Sequence, residues 1–207
     1  VTRARRKGSP RWAGIDPGKQ GYICIYDGQC LVAAWAIPYL GSEPDLPRLK
    51  TMFRALRFAN VRHIVLEEQQ VYGSQGAVSA GTIMGGYMAL KACCVWSGIP
   101  FTCLKPDVWK RGVGIPKVSK PKNPPKVAKP KRGASKAEKE TYKKYVAAKK
   151  TAEATRKKKR KELSVRKAQE LEPDTDFRMS TRAKVPHLGK VEAFLIAVHA
   201  HRTTRSA

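Results

Sequence analysis

The sequence predicts an α/β fold built around a mixed sheet, and three observations carry that expectation. Three short apolar segments open the chain with a hairpin signal between two of them. Helical and strand-like segments then alternate. A helix of globular composition closes the chain after a long charged interruption.

The opening segments are Arg11 to Asp16, Tyr22 to Tyr26 and Cys30 to Ile37, with Asp27-Gly28 between the last two. Asp-Gly suits the positive backbone angles of a two-residue type I′ turn, so an antiparallel meander is expected. Asp45 can cap a helix with Pro47 in its first turn, and Leu49, Met52, Phe53 and Leu56 fall on one face of it. Val61 to Glu68 (VRHIVLEE) reads as a central strand ending in acid. A helical pattern follows from about Gly76 to Trp96, although Gly81, Gly85 and Gly86 each cost about 1 kcal/mol of helix propensity. Close packing, or close approach of a ligand backbone, is expected to offset them. A fifth strand at Phe101 to Leu104 and a short helix from Pro106 lead to Trp109-Lys110-Arg111.

Here the composition breaks. Lys117 to Lys167 holds 21 Lys and Arg against 4 Glu, a net +17 of the chain's formal +26. Its first half, with Pro116 just ahead of it and Pro121, Pro124, Pro125 and Pro130 within it, should be extended. Its second half, from about Ser135 to Leu171, is rich in Ala, Lys and Glu and too poor in apolar positions for a core face, which indicates a solvated or nucleic-acid-lying helix. It includes Tyr142 and Tyr145 without regular aromatic interleaving, so base readout is not indicated. The last helix is expected at about Gly189 to His201. The expected organisation is a basic arm at 1–10, one folded domain made of 11–112 and 163–203, and a basic insertion at 113–162.

With 207 residues, 42% of them hydrophobic, one substantial core is expected. A charge of +26 calls for a polyanion, and nucleic acid is the natural one. No membrane partner is expected, because no apolar run reads as approaching the roughly 20 residues of a bilayer span and no signal-peptide core is visible. Cys24, Cys30, Cys93, Cys94 and Cys103 sit in apolar segments rather than at zinc-finger spacings, so buried thiols in a reducing, intracellular compartment are expected. The first eleven residues, with Arg3, Arg5, Arg6, Lys7 and Arg11 and no acid, read either as a DNA-touching arm or as the remnant of an organelle transit peptide.

Acidic residues are scarce, yet several fall at the ends of core elements. Asp16 ends the first strand within Gly14-Ile15-Asp16-Pro17-Gly18, Glu67 and Glu68 end the central one, and Glu192 lies early in the last helix. Side chains alternate along a strand, so only one of the two glutamates can share a face with Asp16. Converging carboxylates suit hard divalent cations, and two such ions about 3.5 to 4 Å apart can activate water and stabilise the leaving oxygen of a phosphodiester.

Gly14 to Gly18 with Gly21, the strand-end Glu68-Gln69, the helix with Gly85-Gly86, and the run from Gly189 to Ala197 together resemble the RuvC family in order and spacing. With Trp109-Lys110-Arg111 after the fifth strand, the pattern is most similar to the branch of phage RuvC-like nucleases and chloroplast resolvases. The resemblance covers about residues 11–112 and 163–201. It implies an RNase H-like domain with a mixed five-stranded sheet flanked by helices, acting as a homodimer that nicks four-way (Holliday) DNA junctions with Mg²⁺ or Mn²⁺ in a two-metal site. By position it implies Asp16, Glu68, His187 and Glu192 as the catalytic and metal-binding set, with His187 standing where the branch has an acid. Histidine supplies nitrogen and no negative charge, which favours Mn²⁺ over Mg²⁺. Lys105, Lys110, Arg111 and Lys190 are expected near phosphates, and Tyr72 where relatives wedge a side chain into the junction. The alternative is a RuvC-derived scaffold that binds RNA or DNA without cutting, for example in an organelle ribosome or nucleoid. On either reading a DNA-containing compartment is expected, an organelle (chloroplast or mitochondrion) before the cytoplasm.

Overall fold

The computed structural model describes residues 9–71, 76–119 and 125–204, so most of the basic arm, and Tyr72 with it, lie outside the described residues. The chain divides into two compact units, one made of residues up to Ile115 and from Ser164 onward, the other Pro116–Leu163.

In the first unit β1 (Arg11–Asp16), β2 (Tyr22–Tyr26) and β3 (Leu31–Ala36) form the antiparallel meander, and β6 (Val61–Glu67) and β7 (Phe101–Leu104) add to β1 in parallel. The sheet order is β3-β2-β1-β6-β7. A small pair, β4 (Tyr39–Leu40) and β5 (Glu43–Pro44), stands apart and is not among the expected elements. The β2–β3 connection is longer than the expected two-residue turn. Asp27 Oδ1 accepts from the backbone of Gln29 and Cys30, an Asx-type turn that recruits the aspartate side chain instead of the dipeptide's backbone.

One face of the sheet is covered by α1 (Leu46–Phe58) and α2 (Ala77–Ser97). Helix α1 starts as its sequence dictates, with Asp45 accepting from Arg48 N at 3.1 Å and Pro47 in the first turn. Leu49, Phe53 and Leu56 of α1 join Tyr87, Leu90, Cys93 and Cys94 of α2 over Ala13, Ile15, Ile23, Ile25, Ile64 and Leu66 of the sheet. By length and composition α2 could cross a membrane, which corrects the expectation that no segment reaches that size. Its small residues dilute the apolar signal, while its buried side packs into this core.

The other face carries α5 (Leu188–Thr204), whose residues from Ala193 to Val198 are all buried. It rests on Gly14, where any Cβ would collide with the backbone of Ala193 and Ala197. The α5 side of β1 and β2 therefore shows Gly14, Asp16, Tyr22 and Cys24, the last with its thiol directed at the carbonyl of Lys190. Short α3 (Pro106–Gly112) follows β7 and buries Trp109. Helix α4 (Lys136–Leu171) is long and mostly solvated, and within the first unit its Ser164 and Ala168 are fully buried. None of the five cysteines is in a disulfide.

Candidate active site

The parallel pairing of β1 and β6 sets Ile15 beside Leu66, so the next residues, Asp16 and Glu67, end neighbouring strands on the same face. Glu67 is only 8% exposed. Trp109 Nε1 donates to Glu67 Oε2 at 2.6 Å, and Glu192, in the second turn of α5, completes the group. Lys110 lies among these acids. Its ammonium is 2.7 Å from Glu192 Oε1, with the two side chains 14% and 15% exposed, and Ser164 Oγ donates to the same oxygen at 3.3 Å.

Electrostatics mark the cluster as strained in its charged form. Burial, then the negative charge of Glu192, raises Asp16 to about 7, although the Gly18 amide and Lys110 pull the other way. Burial, then Asp16 and Glu192, raises Glu67 to about 8 against the charge of Lys110 and the Trp109 hydrogen bond. Both carboxyls therefore hold protons at pH values where ordinary carboxylates are ionised.

The structure turns Glu68 away, a correction to the sequence reading. Its carboxylate acts on Tyr87, on the α1–α2 side of the sheet. The alternation argument holds, but the parity is reversed.

His187 precedes α5 and its carbonyl accepts from Val191 N, the first helical hydrogen bond. Its Nδ1 receives Lys190 N at 3.4 Å and its ring lies 4.9 Å from that of Tyr22, centroid to centroid. Burial, then Lys190, keeps the imidazole below its ordinary range. Asp176, a further acid ahead of α5, is bound by Arg178 through backbone and guanidinium and held down at about 2. Of the expected phosphate-binding residues, Lys105 and Arg111 are exposed, Lys110 is paired with Glu192, and Lys190 Nζ reaches the carbonyl of Asp176 at 2.6 Å. Sequence reasoning missed the bond from Trp109 to Glu67 and the part of Ser164. The signal for the first was there in an aromatic N–H donor beside the lysine of a short helix.

Oxygen donors from three core elements suit a hard divalent cation. As placed, with Lys110 on Glu192, no three His, Cys, Asp or Glu side chains among the described residues stand together as a metal-holding group.

No protein-family model matches the sequence, and no curated protein matches it. Among solved structures the chain is similar to RuvC of T. thermophilus in complex with a Holliday junction substrate, at 13% identity, TM-score 0.54, covering 95% of this chain and 96% of that one. It is likewise similar to Thermus thermophilus RuvC, at 15% identity, TM-score 0.50 and the same coverage. The yeast mitochondrial Holliday junction resolvase Ydc2 matches at 13% identity and TM-score 0.43 over 94% of this chain and 78% of that one. The architecture is an RNase H-like fold, a mixed five-stranded sheet flanked by helices. More narrowly, it is the fold that the two RuvC structures share.

Proposed function

We propose that this chain is a structure-specific nuclease that cuts four-way DNA junctions with Mg²⁺ or Mn²⁺. The observation that carries the reading is the convergence of Asp16, Glu67 and Glu192, from three separate core elements, into one largely buried cluster at the end of a RuvC-type sheet. A structural role alone gives no reason to bury acids that raise one another's proton affinity. Asp16, Glu67 and Glu192 are the groups to hold divalent cations, with His187, five residues ahead of Glu192, as a nitrogen donor through Nε2. Metal held by these residues would supply an activated water and charge neutralisation at the scissile phosphate. Gly18, beside Asp16, leaves room for a phosphate backbone, since nothing lies closer than 3.9 Å to a Cβ built on it, whereas Gly21 is packed on the backbone of Asp16 and Gly18. Trp109 fixes the Glu67 carboxylate by its indole N–H, and Lys105 and Arg111 offer exposed charge next to it.

A homodimer suits a substrate with two symmetric strands to cut. Helix α2 offers a face for a second copy: Val78, Met88 and Val95 are 86%, 55% and 61% exposed, and the open Gly81 and Gly85 permit close approach. Sedimentation at micromolar concentration tests this, with Val95→Glu expected to give monomers. Five cysteines outside any disulfide suit a reducing compartment, and an organelle that holds DNA is the proposed address.

The ion pair between Lys110 and Glu192 favours a second reading, a scaffold that binds RNA or DNA without cutting. Incubation of the protein with a labelled junction, a linear duplex and structured RNA, each with Mg²⁺ and with Mn²⁺, separates the two. Metal-dependent nicking of the junction supports the nuclease; binding of all three without nicking supports the scaffold.

A further inference from the structure

Consecutive residues of α3 address different acids of the cluster: Trp109 donates to Glu67 and Lys110 to Glu192, at 2.6 and 2.7 Å. The lysine ammonium makes two contacts, one to Glu192 and one over the Trp109 ring, 4.8 Å from its centroid. Its charge is felt by Asp16 and Glu67 as well. A divalent ion bound directly to Glu192 would share a carboxylate whose charge Lys110 already neutralises through Oε1, and two cations on one carboxylate repel strongly. The lysine has somewhere to go, because its flexible four-carbon stem is anchored in a helix that ends two residues later.

We propose that Lys110 is the built-in cation of this site: it holds Glu192 in the metal-free protein and must leave it for a divalent ion to bind. Lysine and metal thus compete for one carboxylate. This rests on the nuclease reading, in that it takes a divalent cation as the ligand.

The test is calorimetric titration of the full-length, DNA-free protein with MnCl₂ at pH 8, comparing the parent with Lys110→Met, Lys110→Arg and Asp16→Asn, alongside thermal melts without metal. Lys110→Met keeps an unbranched apolar stem of similar length and should bind Mn²⁺ about tenfold more tightly, the scale of one partly screened neighbouring charge removed. Lys110→Arg should bind no more tightly than the parent, and Asp16→Asn should weaken binding, which places the ion in this cluster. Without metal, Lys110→Met should melt below the parent, and MnCl₂ should close the gap. Should the methionine variant not fold, Lys110→Gln is read in the same way. Equal or weaker Mn²⁺ affinity without the lysine overturns the proposal and leaves the nuclease reading standing. Absence of Mn²⁺ binding in the parent and every variant overturns both.

Discussion

Asp16 and Glu67 keep protons that ordinary carboxylates lose, because the folded chain desolvates them and sets them beside other acids. Their folded values, about 7 and about 8, lie above the ordinary 3.8 and 4.5. The folded state therefore binds these protons more tightly than the unfolded one. The stability they contribute is fully present below about pH 4 and is lost as pH rises toward 8. Metal-free protein should melt several degrees lower at pH 8 than its Asp16→Asn or Glu67→Gln variants, a gap that narrows at pH 5. Thermal melts with a chelator present check this; equal melting of all three at pH 8 would mean the acids are not strained. Activity should divide the two neighbouring glutamates. Glu67→Gln should reduce junction cutting by at least about 100-fold, as expected for loss of a group acting at the reacting centre, whereas Glu68→Gln should change it little. Alternation is legible in VRHIVLEE, but its parity is not. Ile64, Val65 and Leu66 are all buried, since the strand is covered on both faces, so no polar residue marks which side carries the site. His187 is legible only as a departure from a family pattern. Its Nδ1 accepts from Lys190 N at the start of α5, a contact an aspartate can also make, so on the nuclease reading His187→Asp should raise cutting in Mg²⁺ without loss of stability.

At the scale of elements, the site depends on how closely α5 lies on β1. Gly14 and Gly189 make that approach possible: a Cβ at Gly14 meets the α5 backbone, and one at Gly189 meets Gln20 O and comes within 3.2 Å of Asp16 Oδ2. Gly14→Ala should destabilise the protein by about 1 to 3 kcal/mol and, by lifting Glu192 from Asp16, reduce cutting more than it reduces junction affinity. Denaturant unfolding and the ratio of cleavage rate to binding constant check the two parts. Strand and helix order is readable because hydrophobic period and caps agree, as at Asp45 and Pro47. The β2–β3 turn departs from its expected form because Asp27 uses its side chain, which a dipeptide rule does not see. The pair β4–β5 is invisible in the sequence because two-residue strands carry no period.

For the whole molecule, charge and chemistry are separated. The acids gather within the core unit, while most of the +26 lies in the basic stretch beginning at Lys117. Deleting Lys117 to Lys161 spares Ser164 and Ala168, the buried foot of α4, so the core should still fold. The deletion should weaken binding to all nucleic acids and flatten the salt dependence by about 0.9 for each phosphate no longer neutralised, while the preference for junctions over duplex survives. Binding isotherms at several salt concentrations check this. That stretch is plain in the sequence as composition, yet composition has no partner written into it. The most direct measurement is cleavage of a labelled four-way junction by the purified protein with Mn²⁺, with Glu67→Gln and a linear duplex as controls. Paired nicks at opposed positions in the junction, absent from the duplex and from the Glu67→Gln reaction, are the predicted result. Junction binding without any metal-dependent nick, or nicks that persist in Glu67→Gln, would contradict the account.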